Sequence, residues 1–231
     1  PPPPVDTVVG FYGGEKEAFL ENPRVINILR DRYNLELDIR REGSVEMVNF
    51  PASRYNGVDF VWPSNEIAEV IFTDRTDLGV SVSSETIFRS PIVMYSWQEV
   101  VDALIIENIV AQIDATYFVV DTQRLIDLIL SGTQWPDIGL PDFGERSIRV
   151  ISTDPTQSNS GNMFYGLLLN LLSDNEIAQQ DDLEQHLPTI IDYYERQGRM
   201  SDSSGSLFED YLQLGRGTNP IIVGYENQLI E

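Results

Sequence analysis

The apolar and polar positions along the chain fall into short blocks with different periods. Residues 5–12 (VDTVVGFY) are β-branched and aromatic and predict a first strand, which runs into Gly13-Gly14 and a tight turn. Pro23 then opens a predicted helix over 24–33, with Val25, Ile28 and Leu29 on one face. A strand over 35–40, a turn at Gly43-Ser44, a strand over 58–62 and a helix over 65–70 complete a first set. A second set follows: a helix over 98–107, a strand over 117–120, a helix over 122–130 and a strand over 147–152, then helices after Gly161 and over 182–197 and 206–214. Alternating strands and helices predict an α/β fold with a mostly parallel sheet.

The most informative block is STDPTQSNSG, where the apolar run Arg149-Val150-Ile151 stops at Thr153 and small hydroxyl and amide residues lead into Gly161. Ser158, Asn159, Ser160 and Gly161 are predicted at a helix N-terminus, where N–H groups lack intrahelical partners and the dipole is positive. Oxygen-bearing ligands suit such a site, although ordinary N-capping uses the same residues. The following residues, MFYGLLLNLL, are apolar on nearly every face and predict a deeply packed helix.

Two segments read alike. Ser90-Pro-Ile-Val-Met-Tyr95 and Asn219-Pro-Ile-Ile-Val-Gly-Tyr225 each place a proline before β-branched residues and a tyrosine. They are either paired strands forming a hinge between domains or two unrelated buried strands.

Composition narrows the function classes. The 231 residues, 42% hydrophobic, can bury one large core or two small ones, and no stretch reaches the roughly 18 apolar residues of a membrane span. The formal charge of −22 opposes nucleic acid and anionic membranes. Lys16 is the one lysine, and there is no cysteine, which removes disulfides and thiolate sites together. Pro1 to Pro4 is a stiff extended segment of linker type, which suits a signal or anchor ahead of it.

The segments GGEKEAFLENPRV, EGSVEMV, VDFVWPS, SPIVMYSW, TQWPDIG, STDPTQSNSGNMFYGLL and NPIIVGYENQLIE, in that order, resemble extracellular solute-binding proteins of ABC transporters, in the molybdate and sulfate-like branch. The resemblance implies a two-lobed type II periplasmic-binding fold with a two-strand hinge. Lobe 1 would be residues 1–90, lobe 2 residues 91–219, and the returning hinge strand residues 220–231. It implies a small polar or oxyanion ligand in the interlobe cleft, a membrane permease as partner, an extracytoplasmic location, and no cofactor or metal.

Carried onto this sequence, the ligand shell implied by the resemblance comprises Gly13, Gly14, Glu15 and Lys16, Ser44, Ser64, then Thr153, Ser158, Asn159, Ser160 and Gly161, with Tyr225 from the hinge. Plainer roles exist: Ser44 and Ser64 as helix caps, Tyr225 as strand packing, Lys16 as a solvated cation. The chain also departs from the family. Oxyanion-binding members place small hydroxyl residues where Glu15 and Lys16 stand, so the ligand is either an oxyanion caught by N–H groups and Lys16 or a polar organic molecule, cations included, with Glu15 in its shell. The family chain also continues past GYENQLIE, so this one reads as truncated or as a short member. A ligand-sensing or interaction domain of a membrane-anchored protein is the other reading.

Enzyme chemistry finds little support. The single histidine, His186, sits in QQDDLEQHLPTI without a G-x-S-x-G nucleophile motif, and neither a P-loop, a dinucleotide fingerprint nor a D-x-[DN]-x-[DN]-G calcium loop is present.

Overall fold

A computed structural model describes residues 4–174 and 176–229. Pro1 to Pro3 of the extended start, and Ile230 and Glu231 of the terminal segment, lie outside them. In chain order the elements are β1 (Asp6–Tyr12), α1 (Glu17–Leu20), α2 (Pro23–Tyr33), β2 (Leu35–Arg41), α3 (Ser44–Val48), β3 (Phe60–Trp62) and α4 (Glu66–Thr73). There follow β4 (Ile92–Ser96), α5 (Gln98–Ile106), β5 (Val110–Ile113), β6 (Thr116–Val119), α6 (Thr122–Leu130), α7 (Asn159–Leu172), α8 (Gln180–Gln197), α9 (Ser204–Leu214) and β7 (Ile221–Tyr225). The protein is mixed α/β.

β2, β1 and β3 form a parallel sheet in that order. β2 reads LELDIRR, and its burial alternates residue by residue, as one covered face requires. Phe11, Met47, Val48, Phe50 and Ala68 form the core against this sheet. α2 covers it loosely: Val25 and Leu29 are half-buried, but Ile28, expected on the inner face, is exposed. β3 is shorter than expected because Gly57 adopts φ 76° and the Val58 N–H closes a turn onto Tyr55.

The two alike segments do pair. β4 runs antiparallel to β7 with Ile92 opposite Tyr225 and Ser96 opposite Ile221. β7 is buried throughout and separates the largest core, built on α5, α6, Trp135, α7 and α8, from a smaller one of Ile151, Leu207, Tyr211 and Ile222.

The second half departs from the expected parallel sheet. β5 and β6 make an antiparallel hairpin turning at Asp114, which has φ 54°, and β5 was not foreseen. The expected strand over 147–152 is instead an extended segment with isolated bridges, Ser147 to Gln134 and Ile151 to Ile222. Ile151 bonds β7 on one side through its N–H and carbonyl, and on the other side Gln197 of α8 accepts from the Ser152 N–H at 2.8 Å and donates to the Val150 carbonyl at 2.8 Å, which closes that edge to a further strand. α7 begins two residues before Gly161, with Ser158 at the N-cap position.

Candidate functional site

The carboxyl ends of the three parallel strands deliver three loops to one place, where open α/β sheets commonly bind ligands. β1 leads into Gly13, whose N–H donates to the Trp62 carbonyl at 3.2 Å, and a 3-10 turn over Gly14–Lys16 follows. β2 ends in Arg41 and leads to Gly43 and Ser44. β3 ends at Trp62 and leads to Ser64. Here neither serine is a helix cap: Gly43 occupies the N-cap position of α3, and Asn65 caps α4 by accepting from the Ala68 N–H at 2.5 Å.

The side chains of these loops form one polar network. The Ser64 N–H donates to the Ser44 hydroxyl oxygen at 3.1 Å, and the two hydroxyls lie 2.8 Å apart. Ser64 donates to a Glu15 carboxylate oxygen, the same oxygen that Lys16 pairs with. The Lys16 ammonium also reaches the Ser64 hydroxyl at 3.2 Å and lies 5.5 Å from the centre of the Trp62 ring. Lys16 is not a solvated cation but 5% exposed, and the structure gives it a carboxylate, a hydroxyl and an aromatic face.

The turn before α7 closes the network from the other side. Asp154 shapes that turn, accepting from the Thr156 N–H and hydroxyl at 2.9 and 2.7 Å and from the Gln157 amide at 2.9 Å. Burial opposes its charge, but these bonds outweigh burial and hold its carboxyl below the ordinary value of 3.8. Ser158 makes no side-chain capping bond; its hydroxyl meets that of Ser160 at 3.1 Å, and Ser160 meets Thr153 at 2.7 Å. Thr153 and Ser160 therefore brace the turn. Gly161 is required there, because a Cβ would stand 2.2 Å from the Thr153 carbonyl oxygen.

Asn159 joins the two sides. Its amide nitrogen donates to the Ser64 carbonyl at 3.2 Å and to the Tyr225 hydroxyl at 2.5 Å. Its Oδ1 is buried and has no hydrogen-bond partner among the described residues. Burial first, then the nearby Glu15 charge, pushes the Tyr225 phenol well above its usual range, and the Asn159 bond works against that rise. Gly43 marks a second close approach, since a Cβ there would lie 2.2 Å from the Gln157 carbonyl oxygen.

The twelve residues anticipated from the sequence thus lie together, all but Glu15 and Ser64 buried. A cavity of 320 Å³ adjoins them, lined by Gly13, Gly14, Glu15, Ser44, Ser158 and Asn159 among others. A larger cavity of 960 Å³ is also lined by Glu15, Lys16, Ser64 and Tyr225, with Phe60, Trp62, Phe72 and residues of the irregular stretch 78–90 in its walls.

Sequence reasoning missed Arg41 and the start of α9. Arg41 bonds Glu17 at 3.1 Å, Asp202 at 3.1 Å, Ser203 at 2.7 Å and Ser206 at 2.8 Å, tying β2 to α9 beside the smaller cavity. The signal was present: SDSSGS across the start of α9 repeats the small-hydroxyl pattern at the start of α7. His186 lies on α8 and has the Gln185 amide 3.3 Å away. Among the described residues no group of three or more His, Asp or Glu side chains is placed to hold a metal ion, and no helix is long and apolar enough to cross a membrane.

No model of a known protein family matches the chain, and no curated protein matches it. Among solved structures it is similar to the sulfate-binding protein SubI from Mycobacterium tuberculosis H37Rv, at 14% identity and a TM-score of 0.45, over 97% of this chain and 66% of that one. A likeness this weak assigns no ligand and no branch.

Proposed function

We propose that the protein is a solute-binding protein that captures a small polar molecule between two lobes of type II periplasmic-binding architecture. In this reading the lobes are residues 1–90 and 91–219, β4 and β7 are the hinge, and the captured solute passes to a membrane permease outside the cytoplasm. The observation that carries it is convergence. Loops from three strand ends, the turn before α7 and the last strand, distant in sequence, turn their polar side chains into one largely buried network beside a cavity. Enclosure of a few oriented polar groups is the usual form of a small-molecule site, and an apolar core would be the more stable filling if the residues served folding alone.

Thermal unfolding in the presence of oxyanions, amino acids, polyamines and sugars tests this. A ligand at 100 times its dissociation constant adds about 2.7 kcal/mol, and each kcal/mol shifts the midpoint by roughly 2–4 °C at this chain length. One class should raise the midpoint clearly. A cooperative melt that no class moves would reject solute capture.

A further inference from the structure

The network is already supplied with an anion. Lys16 and the Ser64 hydroxyl, the donors that a free oxyanion would need, both point at the Glu15 carboxylate, and the Ser44 hydroxyl is joined to Ser64. An incoming sulfate or molybdate would have to displace a tethered carboxylate and then sit beside it, against like-charge repulsion.

What the site lacks is a donor. Asn159 is 4% exposed, and its Oδ1 is without a partner among the described residues. The amide cannot be turned to satisfy it, because the nitrogen must face the Ser64 carbonyl, which only accepts. This oxygen is buried and open to a donor, and a ligand N–H enclosed beside it would supply one. Asn159 and Glu15 line the same 320 Å³ cavity, and the charged residues around it are four carboxylates, Glu15, Glu42, Glu46 and Asp202, against one guanidinium. That guanidinium, Arg41, is engaged by Glu17 and Asp202, while Glu15 pairs with Lys16 and Glu42 with Arg54, so the lining stays net acidic through Glu46 and the outward oxygens of the paired carboxylates.

Resting on the solute-capture reading, we infer that the cavity takes a small solute bearing an ammonium or guanidinium group, and that Glu15 is the residue setting this charge preference. The ligand's N–H groups meet the Glu15 carboxylate and the Asn159 carbonyl oxygen, while Lys16 and Ser64 hold Glu15 in place. A carboxylate and an amide oxygen at these two contact points favour a cation over an anion.

Titration calorimetry on the full chain with L-arginine, putrescine, methylguanidine, sulfate, molybdate and glucose, repeated with Glu15→Gln, tests the inference. The unaltered protein should bind at least one of the three cationic probes and neither anion. Glu15→Gln should weaken that cation at least tenfold and, by leaving Lys16 unpaired, bring in measurable sulfate or molybdate binding. Binding of either anion by the unaltered protein, or cation affinity unchanged in Glu15→Gln, would overturn the charge assignment. Glucose as the one bound probe would overturn it too while leaving solute capture standing, and silence from every probe would overturn both. Should Glu15→Gln fail to melt cooperatively, the preference of the unaltered protein between cations and anions decides.

Discussion

Replacing Gly43 with alanine should loosen the site without unfolding the chain. Gly43 has φ −64°, which any residue adopts, so the substitution carries no backbone strain. By restricting the unfolded chain it would alone stabilise by roughly 0.4–1 kcal/mol. The added Cβ, however, stands 2.2 Å from the Gln157 carbonyl oxygen, against 3.4 Å for ordinary contact, a deficit of about 1.2 Å. Both atoms are backbone or fixed to it, so the loop after β2 and the turn before α7 must separate. Overpacking of this kind costs about 1–3 kcal/mol. Separation by that amount also breaks the Asn159 to Ser64 carbonyl bond, now 3.2 Å. A penalty near 2 kcal/mol on the joined arrangement lowers the joined-to-open ratio about 30-fold, and ligand affinity falls as far as the joined fraction does. Titration calorimetry with the ligand from the thermal screen, alongside small-angle scattering, reads both effects. Unchanged stability in urea titration, with affinity and radius of gyration both as in the parent, would refute the reasoning.

Other substitutions report on neighbouring parts. Lys16→Met leaves the part-buried Glu15 charge without its ammonium partner and should destabilise the fold by about 1–3 kcal/mol in urea titration; an unchanged stability would mean that the pair carries no weight in the fold. Gly166→Ala meets nothing within 4 Å in the middle of α7 and should stabilise by about 0.5–1 kcal/mol through helix propensity, read as a higher melting midpoint. For Asp154, the folded carboxyl has the lower proton affinity, so its contribution is present above the ordinary carboxylate range and is lost as pH falls through the folded value. Asp154→Asn should therefore be less stable than the parent at neutral pH, with the gap closing in urea titrations as pH falls below the ordinary carboxylate range. A gap independent of pH would show that the asparagine changes packing rather than charge.

The site was more legible in the sequence than the second half of the fold. The loops after β1, β2 and β3 and the turn before α7 announce themselves through glycine and small hydroxyl residues following apolar runs, which local chemistry dictates. The resemblance of Ile92–Ser96 to Ile221–Tyr225 also translated directly into pairing. The expected strand over 147–152 failed because nothing local to Ile148 or Val150 reveals that Gln197, more than forty residues on, takes its ladder bonds. Arg41 was overlooked for a similar reason: a strand-end arginine becomes informative only when Asp202, Ser203 and Ser206 are brought beside it by the fold. The role of Lys16 changed most, since its burial depends on the Glu15 carboxylate and the Trp62 ring together.

The central claim is that the network around Glu15, Ser64 and Asn159 holds a solute. A crystal structure with the compound that most raises the melting midpoint tests it most directly. The account predicts that compound in the 320 Å³ cavity, donating to the Glu15 carboxylate and to Asn159 Oδ1. A compound seated under residues 78–90 in the larger cavity, with Asn159 Oδ1 still unpartnered, would contradict it.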